Sequence, residues 1–144
     1  MKTVKEILQA KGSVILSVNQ EQTVYEALVK MAEADVGALM VLDDQGAVVG
    51  ILSERDYARK VILKGASSLN TQVKAVMTDK VCYVSPGQSV EECMALVTEK
   101  RCRHLPVIDD GKLVGLVSIG DLVKSSISEK DFMINQLSNY IQSS

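Results

Sequence analysis

The apolar residues of this chain keep helical spacing in two places. Val24, Ala27, Leu28 and Met31 stand at i, i+3, i+4 and i+7, and Val90, Cys93, Met94 and Val97 repeat the pattern. Each set lays an apolar stripe along one face of a helix. Thr23 and Ser89 sit just ahead of the stripes, where a side-chain oxygen can cap the first turn. Two apolar runs follow each helix, "ALMVL" then "VVGIL" in one place and "HLPVI" then "LVGLV" in the other, separated by "DDQG" or "DDG". Aspartate and glycine in a short gap between β-rich runs predict a hairpin. A short strand is expected ahead of each helix, at "VILSV" (14–18) and "KVCYV" (80–84). A second helix is expected after each hairpin, with Tyr57, Ala58, Val61 and Ile62 on one face, and Leu122, Val123 and Ile127 doing the same later.

The pattern is thus written twice. A slide of 66 residues lays 23–44 over 89–110, and after Gln45 is dropped a slide of 65 lays 46–58 over 111–123. Val24, Glu26, Glu33, Leu39, Val41, Asp43, Asp44, Gly46, Val49, Gly50, Ser53 and Asp56 all meet their own residue type. The expected fold class is α+β, two repeated β-α-β-β-α units packed with pseudo-two-fold symmetry, since continuous apolar strands need cover that neither copy supplies alone. The boundaries read as a leading helix at 1–13, a first repeat at 14–66, a connector at 67–79, a second repeat at 80–128 and a helical tail at 129–144. The tail carries Phe132, Met133, Leu137, Tyr140 and Ile141 at helical spacing, a stripe suited to the parent domain or a second subunit.

Composition narrows the class. The 144 residues are 47% hydrophobic and 24% charged, the balance of a soluble globular protein, with no apolar run approaching the ~18 residues of a membrane span. Glu6 and Gln9 interrupt the N-terminus where a secretion signal would be apolar, so the expected location is cytoplasmic. Sixteen Lys and Arg against 18 Asp and Glu announce no nucleic-acid binder. Cys82, Cys93 and Cys102 form no CxxC pair and are expected as small buried hydrophobes, not as disulfides or zinc ligands.

Candidate chemistry lies in a motif that occurs twice, Gly-apolar-apolar-Ser-x-x-Asp, at Gly50–Asp56 and Gly115–Asp121. Ser-x-x-Asp at a helix start is a capping box, in which the hydroxyl accepts the N3 amide and the acid reaches back. The same helix start offers free N–H groups and partial positive charge to a phosphate, and a carboxylate one turn in can accept both hydroxyls of a ribose. Gly50 and Gly115, in the strand before, admit a close neighbour. The two readings are compatible.

The tandem units, the "RHLPVID" segment, the connector ending "VMT" and the doubled Gly-x-x-Ser-x-x-Asp resemble a pair of cystathionine-beta-synthase (CBS) domains across about residues 1–128. Chains made only of such a pair are similar to stand-alone prokaryotic CBS proteins. The resemblance implies a non-catalytic regulatory module that binds an adenosine nucleotide in clefts between the repeats, and a homodimer. Position by position, it implies one cleft from Ser118, Gly120, Asp121, Ser17, Val18, Gly37, Ala38 and Leu116. The other joins Ser53, Arg55, Asp56, Tyr83, Val84, Arg103, His104 and Ile51. The Asp holds the ribose, apolar residues sandwich the base, and Ser, Arg and His face phosphate. Arg55, Arg103 and His104 make the Asp56 cleft the expected tighter one for anions.

AMP, ATP, NADH and S-adenosylmethionine all suit such a cleft, and the effector protein is unnamed. The alternative function is a ligand-free interaction scaffold working through dimer faces and the C-terminal helix. Catalysis is not expected: His104 leads a strand, no G-x-S-x-G accompanies either Ser, and the paired Asp residues fall in turns. No metal is expected, because the single His has no ligand-spaced partner. Neither a membrane nor a nucleic acid is an expected partner.

Overall fold

The computed structural model describes residues 2–12 and 15–143, excluding the side chains of 128–132, 135 and 139–143. It divides into two compact units: an early unit, Ile15–Val81, and a late unit in which Met1–Val14 join Cys82–Ser144.

In the early unit, strand β1 (Ser17–Asn19) is followed by helix α2 (Val24–Ala34), strands β2 (Ala38–Leu42) and β3 (Val48–Ser53), and the short helix α3 (Glu54–Tyr57), which runs on as one wide π turn over Ala58–Ile62. The three strands form a sheet of order β1-β2-β3, with β1 parallel and β3 antiparallel to β2. Thr23 Oγ1 accepts the Glu26 amide at 3.2 Å, the cap expected for α2. Val24, Ala27 and Met31 turn into a core with Val18, Leu39, Val41, Leu52, Val61, Val73 and Val76. Tyr57 and Val61 pack toward that core, whereas Ile62 stays exposed, because the π turn rotates the expected face out of step.

The late unit repeats this plan with helix α1 (Val4–Lys11), helix α4 (Val90–Lys100), strands β4 (His104–Asp109) and β5 (Lys112–Ser118), and helix α5 (Ile119–Ser143). Ser89 Oγ caps α4 by accepting the Glu92 amide at 3.1 Å. Asp110 and Gly111, both at positive φ, make the two-residue turn between β4 and β5. The early hairpin, one residue longer, closes through Asp43, whose carboxylate accepts the Gln45 and Ala47 amides. Each hairpin carries a bulge at the same place, between Val41 and Leu42 and between Val107 and Ile108.

Three expectations change. The strand expected at 80–84 is a single parallel bridge from Val84 to Val107. Its ladder is cut short by the chain's two prolines. In the early unit Met40 and Gln20 donate their amides to Leu16 and Leu42, and 66 residues on the corresponding positions are Pro106 and Pro86, which have no N–H. The tail is no separate helix, since α5 continues unbroken from the second repeat for 25 residues. Met133 and Leu137 on it are exposed, as are Val123 and Ile127, while Leu122 is buried; Phe132, Tyr140 and Ile141 lie outside the described side chains. Cys93 is buried as expected, but Cys82 and Cys102 are joined as a disulfide.

The segment read as a connector has a counterpart at the N-terminus. Val73 and Lys74 donate their amides to Gln22 and Gln20, while Val4 and Lys5 donate theirs to Gln88 and Pro86. Met77 then packs where Gly50 lacks a side chain, and Leu8 where Gly115 does: a Cβ would meet Met77 Sδ and the Thr78 carbonyl at 2.8 Å in one case, and Leu8 Cδ2 at 2.7 Å in the other. The close neighbours admitted by the two strand glycines are thus the lead-in segments of the chain itself.

Candidate ligand-binding site

Both Ser-x-x-Asp motifs form capping boxes. The Asp56 amide donates to Ser53 Oγ at 3.2 Å and the Ser53 amide to Asp56 Oδ2 at 3.0 Å. The Asp121 amide donates to Ser118 Oγ at 3.1 Å and the Ser118 amide to Asp121 Oδ2 at 2.9 Å.

Beyond the box, the two aspartates differ. Asp56 is buried, 8% exposed, and both its oxygens are engaged: Oδ1 accepts Thr78 Oγ1 at 3.0 Å and pairs with Lys60 Nζ at 3.2 Å, while Oδ2 also takes the Ser53 hydroxyl. Thr78 ends the "VMT" segment, held beside β3 by two backbone bonds to Ile51. Asp121 is half-buried. Its Oδ2 takes Lys11 Nζ at 2.7 Å as well as the Ser118 amide, and Oδ1 accepts no hydrogen bond among the described residues. Burial pushes the Asp121 carboxyl up, but the hydrogen bonds from Lys11 and Ser118 and the ammonium charge hold it below its ordinary value.

The difference traces to single positions. Four residues after the aspartate stands Lys60 in the early unit and Ser125 in the late one. The smaller side chain leaves a cavity of about 180 Å³ between α1 and α5, with three lysines (Lys2, Lys11 and Lys124) and two acids (Glu6 and Asp121) at its wall and the Ser125 hydroxyl buried without a hydrogen-bond partner among the described residues. Lysine ammoniums and an unused hydroxyl suit an anion.

The other expected residues assemble by unit. In the early unit Ala38 pairs with Ser53, the Glu54 amide donates to the Gly37 carbonyl at 3.0 Å, and Ser17, Met40 and Ile51 form one row across the sheet. Val18 is core, and Arg55 lies on α3 beside Asp56. In the late unit His104 pairs with Ser118, Pro106 with Leu116, and the Ile119 amide donates to the Arg103 carbonyl at 2.9 Å. Val84 is core, Tyr83 is exposed before it, and Gly120 is in the first turn of α5. Each helix start therefore gathers halves of both expected sets: Gly37 and Ala38 with Ser53 and Asp56, and Arg103 and His104 with Ser118 and Asp121.

Lys11, Lys2, Lys124, Thr78 and Ser125 were missed by the motif reading. Thr78 was visible in "VMT", but Lys11 stands 110 residues from its aspartate and no local spacing joins them. Among the described residues no group of three or more His, Cys, Asp or Glu could hold a metal ion, and no helix is long and apolar enough to cross a membrane.

A family model of the CBS domain matches residues 4–63 and 73–128. The chain is 39% identical over 148 residues to the mitochondrial CBS domain-containing protein CBSX3 of Arabidopsis thaliana, covering 97% of this chain and 72% of that one. It is 32% identical over 130 residues to the CBS domain-containing protein YhcV of Bacillus subtilis, covering 90% and 89%. Among solved structures, a CBS-domain protein from Burkholderia ambifaria superposes with a TM-score of 0.83 at 55% identity over 88% of this chain and 95% of that one. One from Agrobacterium tumefaciens gives 0.80 at 35%, over 86% and 92%.

Proposed function

The chain belongs to the CBS-domain family, whose paired domains are generally regulatory modules for adenosine ligands, and from that premise we propose that it is a non-catalytic sensor of an adenosine nucleotide. The carrying observation is Asp121: a half-buried carboxylate one turn into a helix, its Oδ2 fixed by Ser118 and Lys11 and its Oδ1 free of hydrogen bonds among the described residues. A carboxylate so held is oriented for the paired hydroxyls of a ribose. Lys11, Lys2 and Lys124 supply cations for phosphate beside it. In this reading the Asp121 site leads, because the Asp56 oxygens are already engaged and Arg103 and His104 lie on the Asp121 side within their unit. The Asp56 set, with Ser53, Arg55, Ile51, Tyr83 and Val84, is the secondary site. Ser17, Val18, Gly37, Ala38 and Leu116 are assigned to the base. AMP, ATP and NADH all fit the proposal; no metal is needed for it, and the proposed location is cytoplasmic.

A homodimer is part of the same proposal. Ile119, Val123 and Ile127 follow one another at four-residue steps on α5 and are all exposed, an apolar stripe suited to a second copy. The structural relative from bloom-forming cyanobacteria, a CBS-CP12 protein, is hexameric. If no nucleotide binds, this stripe is what a scaffold function would use.

Thermal unfolding against AMP, ADP, ATP, NAD, NADH, S-adenosylmethionine and guanosine counterparts tests the proposal. A ligand at 100 times its dissociation constant adds about 2.7 kcal/mol to the folded state. The expected result is a raised midpoint with an adenosine compound, reduced in Asp121→Asn. A flat response across the panel sinks the sensor reading.

A further inference from the structure

We propose that Cys82 and Cys102 form a reversible disulfide, a redox site that fastens residues 82–84 to the head of β4. Sixty-six residues earlier the corresponding positions are Leu16 and Val36, two apolar side chains that both pack against the core of the early unit. The late unit puts two thiols where the early one has a plain hydrophobic contact, with Cα atoms 6.6 Å apart, inside the span a disulfide bridges.

The link falls where the backbone ladder has been removed. In the early unit the Met40 amide bonds the Leu16 carbonyl at 3.1 Å and the Gln20 amide bonds Leu42 at 2.9 Å. Pro106 and Pro86 occupy the matching donor positions and can make neither bond. Among the described residues, segment 82–86 is left with two ladder bonds to β4 at one residue, Val84 to Pro106 and Ile108 to Val84. With the thiols reduced, backbone hydrogen bonds hold the segment at Val84 and, beyond it, at Pro86, whose carbonyl accepts the Lys5 amide, and none falls at Cys82 among the described residues. With them joined, a covalent bond replaces the missing ladder bond at Cys82 and limits opening of Tyr83 and Val84. Both sulfur-bearing residues are half-buried, whereas Cys93 is fully buried, so an oxidant reaches the pair and not the third thiol. Lys100, Arg101 and Arg103 surround Cys102 in the chain, a cationic stretch that attracts an anionic small-molecule disulfide.

The step is thiol–disulfide exchange with such a disulfide, glutathione disulfide being the probe. One Cys thiolate attacks a sulfur of the oxidant, releasing one thiol and leaving a mixed disulfide; the second Cys thiolate attacks the protein sulfur and releases the other thiol. Two protein thiols are oxidised, two electrons reduce the oxidant to two thiols, and the two protein protons end on them. The inference does not depend on what Tyr83 and Val84 contact.

The test equilibrates the intact protein in glutathione redox buffers, traps thiols, and maps peptides by mass. The expected result is a Cys82–Cys102 link that forms and disappears reversibly with buffer potential, with Cys93 remaining a thiol. Hydrogen exchange at 82–85 should slow at least about tenfold on oxidation, and Cys82→Ser or Cys102→Ser, whichever folds, should lose all redox response while Cys93→Ala keeps it. The proposal is overturned if no intramolecular link forms at any potential, or if it forms and exchange at 82–85 is unchanged.

Discussion

Replacing Asp56 by Ala should damage the fold far more than replacing Asp121, although the two residues occupy equivalent places in the sequence. Asp56→Ala removes the acceptor for the Ser53 amide, the Ser53 hydroxyl and Thr78 Oγ1, and the counter-ion of Lys60. A lost capping interaction costs about 1 kcal/mol, and a hydrogen bond to a buried charge about 1.5–3 kcal/mol. The Lys60 pair adds little, because that ammonium is 41% exposed. These terms share one carboxylate and do not add in full, so the expected loss is about 2–4 kcal/mol. Asp121→Ala loses a cap and a pair with Lys11 in which the partners are 40% and 24% exposed, about 1–1.5 kcal/mol together. Urea unfolding followed by circular dichroism, with slopes compared to confirm that only the midpoint moves, measures both, and the Asp56→Ala midpoint in a melt should fall by about 5–15 °C. If Asp56→Ala costs no more than Asp121→Ala, the assignment of Asp56 as a structural fastener for Thr78 and the connector is refuted. It also follows that Asp56→Ala is a poor probe of ligand binding, and that Asp121 should be varied first.

Gly50→Ala should cost about 1–3 kcal/mol, and more than Gly115→Ala, because a Cβ at Gly50 meets the Thr78 backbone carbonyl while one at Gly115 meets only the Leu8 side chain; thermal melts of the two variants give the order. Acid should weaken the late unit through Asp121. Its folded carboxyl lies below the ordinary value, so its contribution is present above the unfolded value of about 3.9 and is lost as pH falls through the folded one. Lys11→Met should be less stable at neutral pH and should converge on the parent protein only once pH has fallen below the lowered folded value of Asp121, where the carboxylate is protonated in both; midpoints measured from pH 7 downward check this.

Sequence periodicity made the repeats, α2, α4 and both hairpins legible because each is decided locally, by an apolar stripe, a capping Thr23 or Ser89, and Asp-Gly turn chemistry. The capping boxes were equally legible. What escaped depends on distant partners. The correspondence between Val4–Leu8 and Val73–Met77 is hidden by a spacing of 69 residues, not 66, and by the Gly, Ser and Asn around it. Lys11 reaches Asp121 only through packing of α1, and Ser125 matters only because Lys60 stands at its counterpart. The shortened strand before α4 was readable in principle: Pro86 and Pro106 signal lost donors once the repeat is aligned, but "KVCYV" looks like a strand when read alone. Nor did spacing show that Cys82 and Cys102 meet, since that follows from the Leu16 and Val36 positions being neighbours.

The most direct test of the sensor account is calorimetric titration of the protein with the adenosine compound that raises its melting midpoint, in parallel with Asp121→Asn, whose capping geometry is preserved. The account predicts saturable binding by the parent protein and affinity lower by at least about tenfold in the variant, the weight of a charge-assisted hydrogen bond. Undiminished affinity in Asp121→Asn, or no saturable binding by any adenosine compound, would contradict it.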